Sequence, residues 1–271
     1  ARLSVFDLSP SASQPMLTEN KRFIISYNGE IYNFKKLRKI LTMKYHINFN
    51  TNCDTELVLK CFETFGISKS LNLFEGMFAI ILWDSKYNDI YLIRDFTGEK
   101  PLYYGWQKDT FFAGSDLNAF KIHPDWSGLI DKKSLNNYLK LNYVPNSNCI
   151  YDNFEKVKPG YLIKLSKIHS EWTIVENSNW FVSNQNKIEI SNVDNASIIL
   201  KDLLITTLDK FIQSDVPLGV FLSGGIDSSL ITALTKTHCK NNLMTFSLGF
   251  DDSKYDESYH IKKIANYLNT D

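Results

Sequence analysis

The reading of the chain turns on Leu222-Ser223-Gly224-Gly225-Ile226-Asp227-Ser228-Ser229. This string follows an apolar run at 217–222, and after it Ile226, Leu230, Ile231 and Leu234 recur at three- and four-residue spacing, so it joins a strand to a helix. A loop of Ser and Gly at such a junction turns backbone N–H groups and hydroxyls toward one point. The helix N-terminus adds partial positive charge, and the result is a cradle for an anion, phosphate above all. No Gly-Lys-Ser/Thr follows at the spacing of a Walker A loop, so no lysine neutralises the phosphates. Asp227 points instead to Mg2+ shared between a carboxylate and phosphate oxygens.

Outward from this loop, the unbroken apolar run at 217–222 is expected of a strand buried on both faces of a parallel sheet, and 243–248 of a second buried strand. Helical spacing recurs at 196–211 (Ile199, Leu203, Leu204, Leu208, Phe211) and at Tyr259, Ile261, Ile264, Ala265 and Leu268. Strand, helix, strand, helix makes a right-handed α/β unit. Upstream, a polar stretch without periodicity follows Trp180, which sets the expected organisation: one domain at 1–182, a linker at 183–194 and a second domain at 195–271. Two strands cannot cover a parallel sheet, so the second domain is expected to be incomplete at Asp271.

The first half reads mostly as short strands. Arg22 to Asn33 carries Phe23, Ile24, Ile25 and Tyr27 and then Asn28-Gly29, a strand expected to run into a turn. Amphipathic helices are expected at 34–45 and from Asp54, with Asp54 as N-cap and Gly66 as terminator. Closely spaced strands at 77–83, 90–93, 102–106 and 110–113 imply an antiparallel sheet. A further helix is expected at 131–141, with Leu135, Tyr138 and Leu139 on one side, then strands at 161–165 and 172–175. Tyr103, Tyr104 and Trp83 are expected in the core.

Composition excludes several classes of function. Thirty basic and thirty acidic side chains cancel, so no overall positive field draws the chain to nucleic acid or an anionic membrane. The longest apolar run, Met77 to Trp83, has seven residues, where a membrane-spanning helix needs roughly 20. Cys53, Cys61, Cys149 and Cys239 form no CxxC pair. A helix from Asp54 would separate Cys53 and Cys61 by roughly 12 Å, beyond disulfide reach, so reduced thiols and a cytoplasmic setting are expected. The five histidines show no metal-ligand spacing.

The string at 222–229 resembles the pyrophosphate-binding loop of the ATP pyrophosphatases. Phe246-Ser247-Leu248-Gly249-Phe250 with Tyr255-Asp256-Glu257-Ser258 is similar to the asparagine synthetase branch, where this strand lines the adenine pocket. Independently, Arg2-Leu3-Ser4-Val5-Phe6-Asp7, Gln14-Pro15-Met16, Tyr27-Asn28-Gly29-Glu30-Ile31-Tyr32-Asn33, Asp54-Thr55-Glu56, Gly76-Met77-Phe78-Ala79 and Arg94-Asp95 with Gly98 and Lys100-Pro101-Leu102-Tyr103-Tyr104 fall in family order. They resemble the class II glutamine amidotransferase domain of glutamine-dependent asparagine synthetases. The implied fold is an N-terminal-nucleophile hydrolase αββα sandwich of the α+β class, followed by the start of an α/β parallel-sheet ATP-pyrophosphatase domain.

By the same resemblance Asn28 and Gly29 form the oxyanion hole. Arg2 offers a planar fork to the α-carboxylate of glutamine and Asp54 a carboxylate to its α-ammonium, with Asn28 and Glu30 as further substrate contacts. ATP is assigned to Leu222, Ser223, Gly224, Gly225, Asp227, Ser228, Ser229 and Leu248, and Mg2+ to Asp227. The family's nucleophile is an N-terminal cysteine whose own amino group acts as base, and none of the four cysteines matches it. The expectation is that this cysteine and a few dozen residues lie upstream of Ala1, and that the stretch as written hydrolyses no glutamine. Asp116 stands where the family usually has Glu, and Asp95-Phe96-Thr97-Gly98 lacks a common basic position.

The function so implied is a carbon–nitrogen ligase that amidates aspartate to asparagine with ammonia from glutamine, releasing AMP and pyrophosphate. Alternatives within the architecture are amidation of a sugar uronic acid, a β-lactam synthetase-like enzyme, and a non-catalytic protein built on the glutaminase half. The partners implied are glutamine, ATP and a carboxylate acceptor, without nucleic acid or membrane; a homodimer is compatible with the resemblance.

Overall fold

The computed structural model describes residues 7, 9–145, 147–181, 190, 192–212, 217–238, 243–252, 254 and 256–271. The chain separates into two compact units, 1–184 and 185–271.

In the first unit, a two-residue strand β1 (Met16–Leu17) lies antiparallel to β2 (Phe23–Ile31). Helices α1 (Phe34–Tyr45), α2 (Asp54–Phe65) and the short α3 (Ile67–Leu71) follow, then β3 (Gly76–Asp84), β4 (Asp89–Arg94), β5 (Tyr103–Gln107) and β6 (Thr110–Gly114). Helix α4 (Lys132–Leu141) precedes β7 (Phe154–Lys156), β8 (Tyr161–Ile168) and β9 (Glu171–Asn179). Six strands form one antiparallel sheet in the order β1-β2-β3-β4-β8-β9, and three form a second in the order β6-β5-β7.

Alternation along the strands sorts side chains into layers. Phe23, Ile25, Tyr27 and Ile31 of β2 and Phe78, Ile80 and Leu82 of β3 share a buried cluster with Leu37 and Leu41 of α1 and Leu57 and Phe62 of α2. On the opposite face, Ala79, Leu92, Ile163 and Leu165 pack with Leu102, Tyr104 and Val157 around the smaller sheet. The far side of that sheet holds Phe112 and Phe154 against Phe120, which sits in the 3-10 turn Leu117–Ile122. Helices, sheet, sheet and helical turn thus succeed one another.

The segment between β4 and β5 is held by a charged pair. The fully buried Asp95 carboxylate accepts from the N–H of Phe78, Glu99 and Lys100 and from the Thr97 hydroxyl. The Arg94 guanidinium donates to the carbonyls of Lys100, Val157 and Gly98, at 2.8, 2.7 and 2.6 Å. Gly98 takes φ +72°, and a Cβ there would stand 2.7 Å from the Pro159 ring.

Several expectations are corrected. Asn28-Gly29 is not a turn: Asn28 pairs with Ala79 and Gly29 with Phe78 in mid-strand, and β2 ends only at Ile31. Asp54 is not the N-cap but the first residue of α2, with Cys53 at the N-cap position; its carboxylate accepts from the Asp54 and Thr55 backbone at the helix start and also from the Ile31 N–H of β2. Asp131, by contrast, caps α4 through the N–H of Lys133 and Ser134. Leu135, Tyr138 and Leu139 lie exposed on α4, and Trp83, 42% exposed, points outward on β3 with its N–H on Asn88; Tyr104 is in the core.

The second unit contains α5 (Val193–Phe211), β10 (Gly219–Phe221), α6 (Ile226–His238), β11 (Met244–Phe246) and α7 (Ser258–Leu268). Strands β10 and β11 pair in parallel, as expected, but neither is buried on both faces: Phe221 is 84% and Phe246 52% exposed. A sheet of two strands is too narrow to be covered on both sides, and burial concentrates at Leu222, Leu234, Leu243 and Ile261. Cys53, Cys61 and Cys149 are free and buried, while Cys239 falls outside the described residues. Among the described residues no helix is long and apolar enough to cross a membrane.

Replacing Arg94 by Met leaves three backbone carbonyls without their donor. The expected cost is about 2–4 kcal/mol in the urea unfolding free energy; a midpoint equal to the wild type would contradict the clamp.

Candidate active site

A cavity of about 790 Å³ opens in the first unit where β2, β3 and β6 approach the start of α2. Its walls include Asn28, Gly29, Glu30, Asp54, Lys100 and Asp116. Four of the five glutamine-site residues expected from the sequence therefore meet in one place; the fifth, Arg2, lies outside the described residues, as do 183–189 and 191 of the expected linker.

Strand register decides which backbone donors face this space. In an antiparallel pair, residues alternate between exchanging hydrogen bonds with the partner and turning both N–H and C=O away. Tyr27 N–H is turned away from β3, since it donates to Gln14 Oε1 at 2.6 Å, and Ile31 N–H donates to Asp54 Oδ2 at 3.1 Å. Gly29 lies between them in the same phase. Consistently, Phe78 opposite Gly29 gives its N–H and C=O to Asp95 on the β4 side. The Gly29 N–H thus points to the β1 edge, where no described side chain accepts it. Glycine is required here because a Cβ would lie 2.3 Å from the Met77 carbonyl oxygen. Asn28, its side chain on the face of β2 turned away from the cluster with α1 and α2, also lines the cavity, and its side-chain amide has no partner among the described residues.

The electrostatics suit an ammonium guest. Asp54 is 6% exposed and accepts from the Tyr27 hydroxyl at 2.8 Å as well as from Ile31 N–H. Burial pushes its carboxyl above the usual range, against the pull of these hydrogen bonds. Burial, then Asp54, push the Tyr27 phenol well up, so it stays a donor. Glu30 is raised to about 7 by burial and by the charge of Asp54, with Lys100 opposing. Lys100 is placed by the Asp95 and Arg94 contacts to its backbone, and among the described residues it is the sole cation lining the cavity.

In the second unit the Ser-Gly loop at 222–229 sits at the carboxyl ends of two parallel strands, where α/β sheets bind ligands. Leu222 N–H donates to the Phe246 carbonyl at 2.9 Å and Ser247 Oγ to the Leu222 carbonyl at 2.7 Å. Gly224 takes φ +82°, a conformation that favours glycine. The hydroxyls of Ser223 and Ser228 lie 3.0 Å apart, and Ser228 Oγ accepts from Ser223 N–H at 3.3 Å. Gly225 precedes α6, Asp227 lies exposed in its first turn, and Ser229 Oγ donates to the Gly225 carbonyl. Leu248, 78% exposed, follows β11 at the same end. Among the described residues no three His, Cys, Asp or Glu side chains cluster to hold a metal. A single carboxylate fits Mg2+, which needs one or two protein carboxylates when phosphates complete its shell.

The first unit is thus a layered pair of antiparallel sheets whose cavity holds an open strand-edge amide and two acids, and the second unit carries a Ser-Gly loop between a parallel strand and a helix. The sequence matches the family described as a glutamine amidotransferase domain over residues 1–176, and that described as asparagine synthase over 200–271. Relatives include asparagine synthetase [glutamine-hydrolyzing] 1 of Bacillus subtilis, 32% identical over 98% of this chain and 41% of the relative. Another is a putative asparagine synthetase [glutamine-hydrolyzing] 2 of Methanocaldococcus jannaschii, 32% identical over 99% of this chain and 54% of the relative. Among solved structures, the glutamine PRPP amidotransferase of B. subtilis aligns over 86% of this chain and 48% of its own at TM-score 0.44 and 14% identity. The chain belongs to the glutamine amidotransferase domain family, and its residues 200–271 match the asparagine synthase family. It spans about half or less of the length of these relatives.

Sequence reasoning gave no role to Gln14, Thr55, Lys100 and the Gly114-Ser115-Asp116 stretch, all of which line the cavity. The signal was present in the Gln14-Pro15-Met16 and Lys100-Pro101 strings, but their roles depend on partners distant in sequence.

Glu30 provides a test of the cavity electrostatics. Its folded-state pKa lies above its ordinary value, so folding favours the protonated form and the carboxylate costs stability increasingly as pH rises from the ordinary value through about 7. Glu30→Gln should therefore match the wild type in Tm near about pH 4 and exceed it near about pH 8; a difference independent of pH would contradict this assignment.

Proposed function

We propose that the complete protein is a glutamine-hydrolysing asparagine synthetase. The observation that carries this reading is the convergence of Asn28, Gly29, Glu30 and Asp54 on one cavity in a chain whose other unit presents a helix-capping Ser-Gly loop. In this reading Asp54, with Oδ2 engaged by Tyr27 and Ile31, uses its remaining oxygen for the glutamine α-ammonium, and Glu30 adds a second acceptor. Arg2 takes the α-carboxylate. The side-chain carbonyl oxygen is received by Gly29 N–H and the Asn28 amide, which stabilise the negative charge that develops when a thiolate attacks the carbonyl carbon. Collapse of this adduct breaks the C–N bond and expels the amide nitrogen, protonated, as ammonia, leaving a thioester; water then hydrolyses the thioester to glutamate and restores the thiol.

At the second site, the residues at 222–229 and Leu248 hold ATP, and the backbone N–H groups at the start of α6 hold its phosphates. Asp227 would hold Mg2+, which neutralises phosphate charge when bound. The acceptor carboxylate, aspartate in this proposal, displaces pyrophosphate from the α-phosphorus, and ammonia then displaces AMP to give the amide. Confinement keeps ammonia from protonation and loss to water. Free buried thiols suit a reducing cytoplasm.

The full-length gene product supplied with glutamine, aspartate and Mg-ATP should release pyrophosphate, AMP and asparagine in equal amounts; pyrophosphate at background would remove the assignment, and release dependent on a uronic acid instead would replace the acceptor. Asp227→Ala should abolish pyrophosphate release and spare glutamine hydrolysis, whereas wild-type pyrophosphate release in that variant would exclude the metal role.

A further inference from the structure

Three N–H groups of β2 point to the β1 edge beyond the point where pairing with β1 stops. That pairing covers only Met16↔Ile25 and Leu17↔Ile24, so among the described residues no strand lies beside Tyr27, Gly29 and Ile31. An unpaired row of edge amides is a row of equivalent donors, and a carbonyl oxygen entering the cavity could settle on any of them. The row is not left equivalent. Asp54 Oδ2 takes the Ile31 N–H at 3.1 Å. Gln14 Oε1 takes the Tyr27 N–H at 2.6 Å, while Gln14 Nε2 reaches Thr55 Oγ1 at 3.4 Å on the first turn of α2. Thr55 is 1% exposed, so the far end of Gln14 is anchored in the same helix that carries Asp54.

The geometry points to Gln14 as a positioning residue: by capping Tyr27 N–H while Asp54 caps Ile31 N–H, it leaves Gly29 N–H as the open donor of this edge among the described residues and so sets where the glutamine carbonyl oxygen is received. The inference rests on the glutaminase reading above and adds to it the device that selects the amide. Gln14 itself touches neither the reacting carbon nor the oxyanion. Its two polar ends suit the task, since a methionine of similar length would neither accept from Tyr27 nor hold to Thr55.

The test uses the full-length protein. Gln14→Met should lower kcat for glutamine hydrolysis about 10- to 100-fold, with KM for glutamine within about threefold of the wild type, because the loss falls on the developing oxyanion and not on the substrate's charged ends. The inhibition constant of the aldehyde analogue of glutamine, whose thiol adduct carries an oxyanion, should weaken by a factor close to the fall in kcat. Synthesis driven by ammonium chloride should be unchanged and reports that the variant is folded. Thr55→Val, which removes the anchor, should lower kcat in the same direction by a smaller factor, and Thr55→Ser should restore it. Unmoved kcat in Gln14→Met, or a rise in KM with kcat held, would overturn the inference; should Gln14→Met fail to fold, equal kcat in Thr55→Val and Thr55→Ser would overturn it. A wild-type protein that releases no ammonia from glutamine would instead overturn the glutaminase reading, and this inference with it.

Discussion

The first unit is organised around the Asp54 carboxylate. It lies at the first turn of α2, is almost wholly buried, and accepts from the Tyr27 hydroxyl and the Ile31 N–H on β2. Burying a carboxylate is costly unless it is hydrogen-bonded, and here the partial positive charge of the helix N-terminus adds to those two donors. The result couples a helix to the free edge of a sheet. It places a second carboxylate oxygen and an open edge amide at the same cavity.

The opposite wall is built by a different device. Arg94 and Asp95 close the segment after β4 through backbone hydrogen bonds, and the chain then delivers Lys100 and Leu102 to the cavity. Lys100 offsets the mutual repulsion of Glu30 and Asp54 without cancelling the net negative character that favours an ammonium group. The buried Asp95 also takes the N–H of Phe78, which draws that residue's hydrogen bonding toward β4. That choice keeps Gly29, its cross-strand neighbour, in the phase that faces the open edge.

Much of this was legible in the sequence, but unevenly. The helices at 34–45 and 54–65 and the strands around 77–83 and 90–93 followed from spacing of apolar residues, because those elements bury one face each. Asn28-Gly29 reads locally as a turn because the dipeptide favours hairpins, whereas here glycine is demanded by close approach to the Met77 carbonyl, a cross-strand constraint invisible in a local window. Asp54 showed the same limit: a local window suggests a helix-end carboxylate but not its second reach, to the Ile31 N–H more than twenty residues away. In the second unit, apolar runs promised buried strands, but the pair β10 and β11 leaves Phe221 and Phe246 in the open. The strand–loop–helix junction at 222–229 was legible because it is local: a strand end, a left-handed glycine and a helix start lie within a few residues.

The most direct examination of this arrangement is a crystal structure of the full-length protein with glutamine bound. The side-chain oxygen of glutamine should lie at hydrogen-bond distance from Gly29 N, with its α-ammonium on Asp54 and Gln14 still on Tyr27 N–H. Glutamine seated elsewhere, or with its oxygen on Tyr27 or Ile31 N–H, would contradict the account.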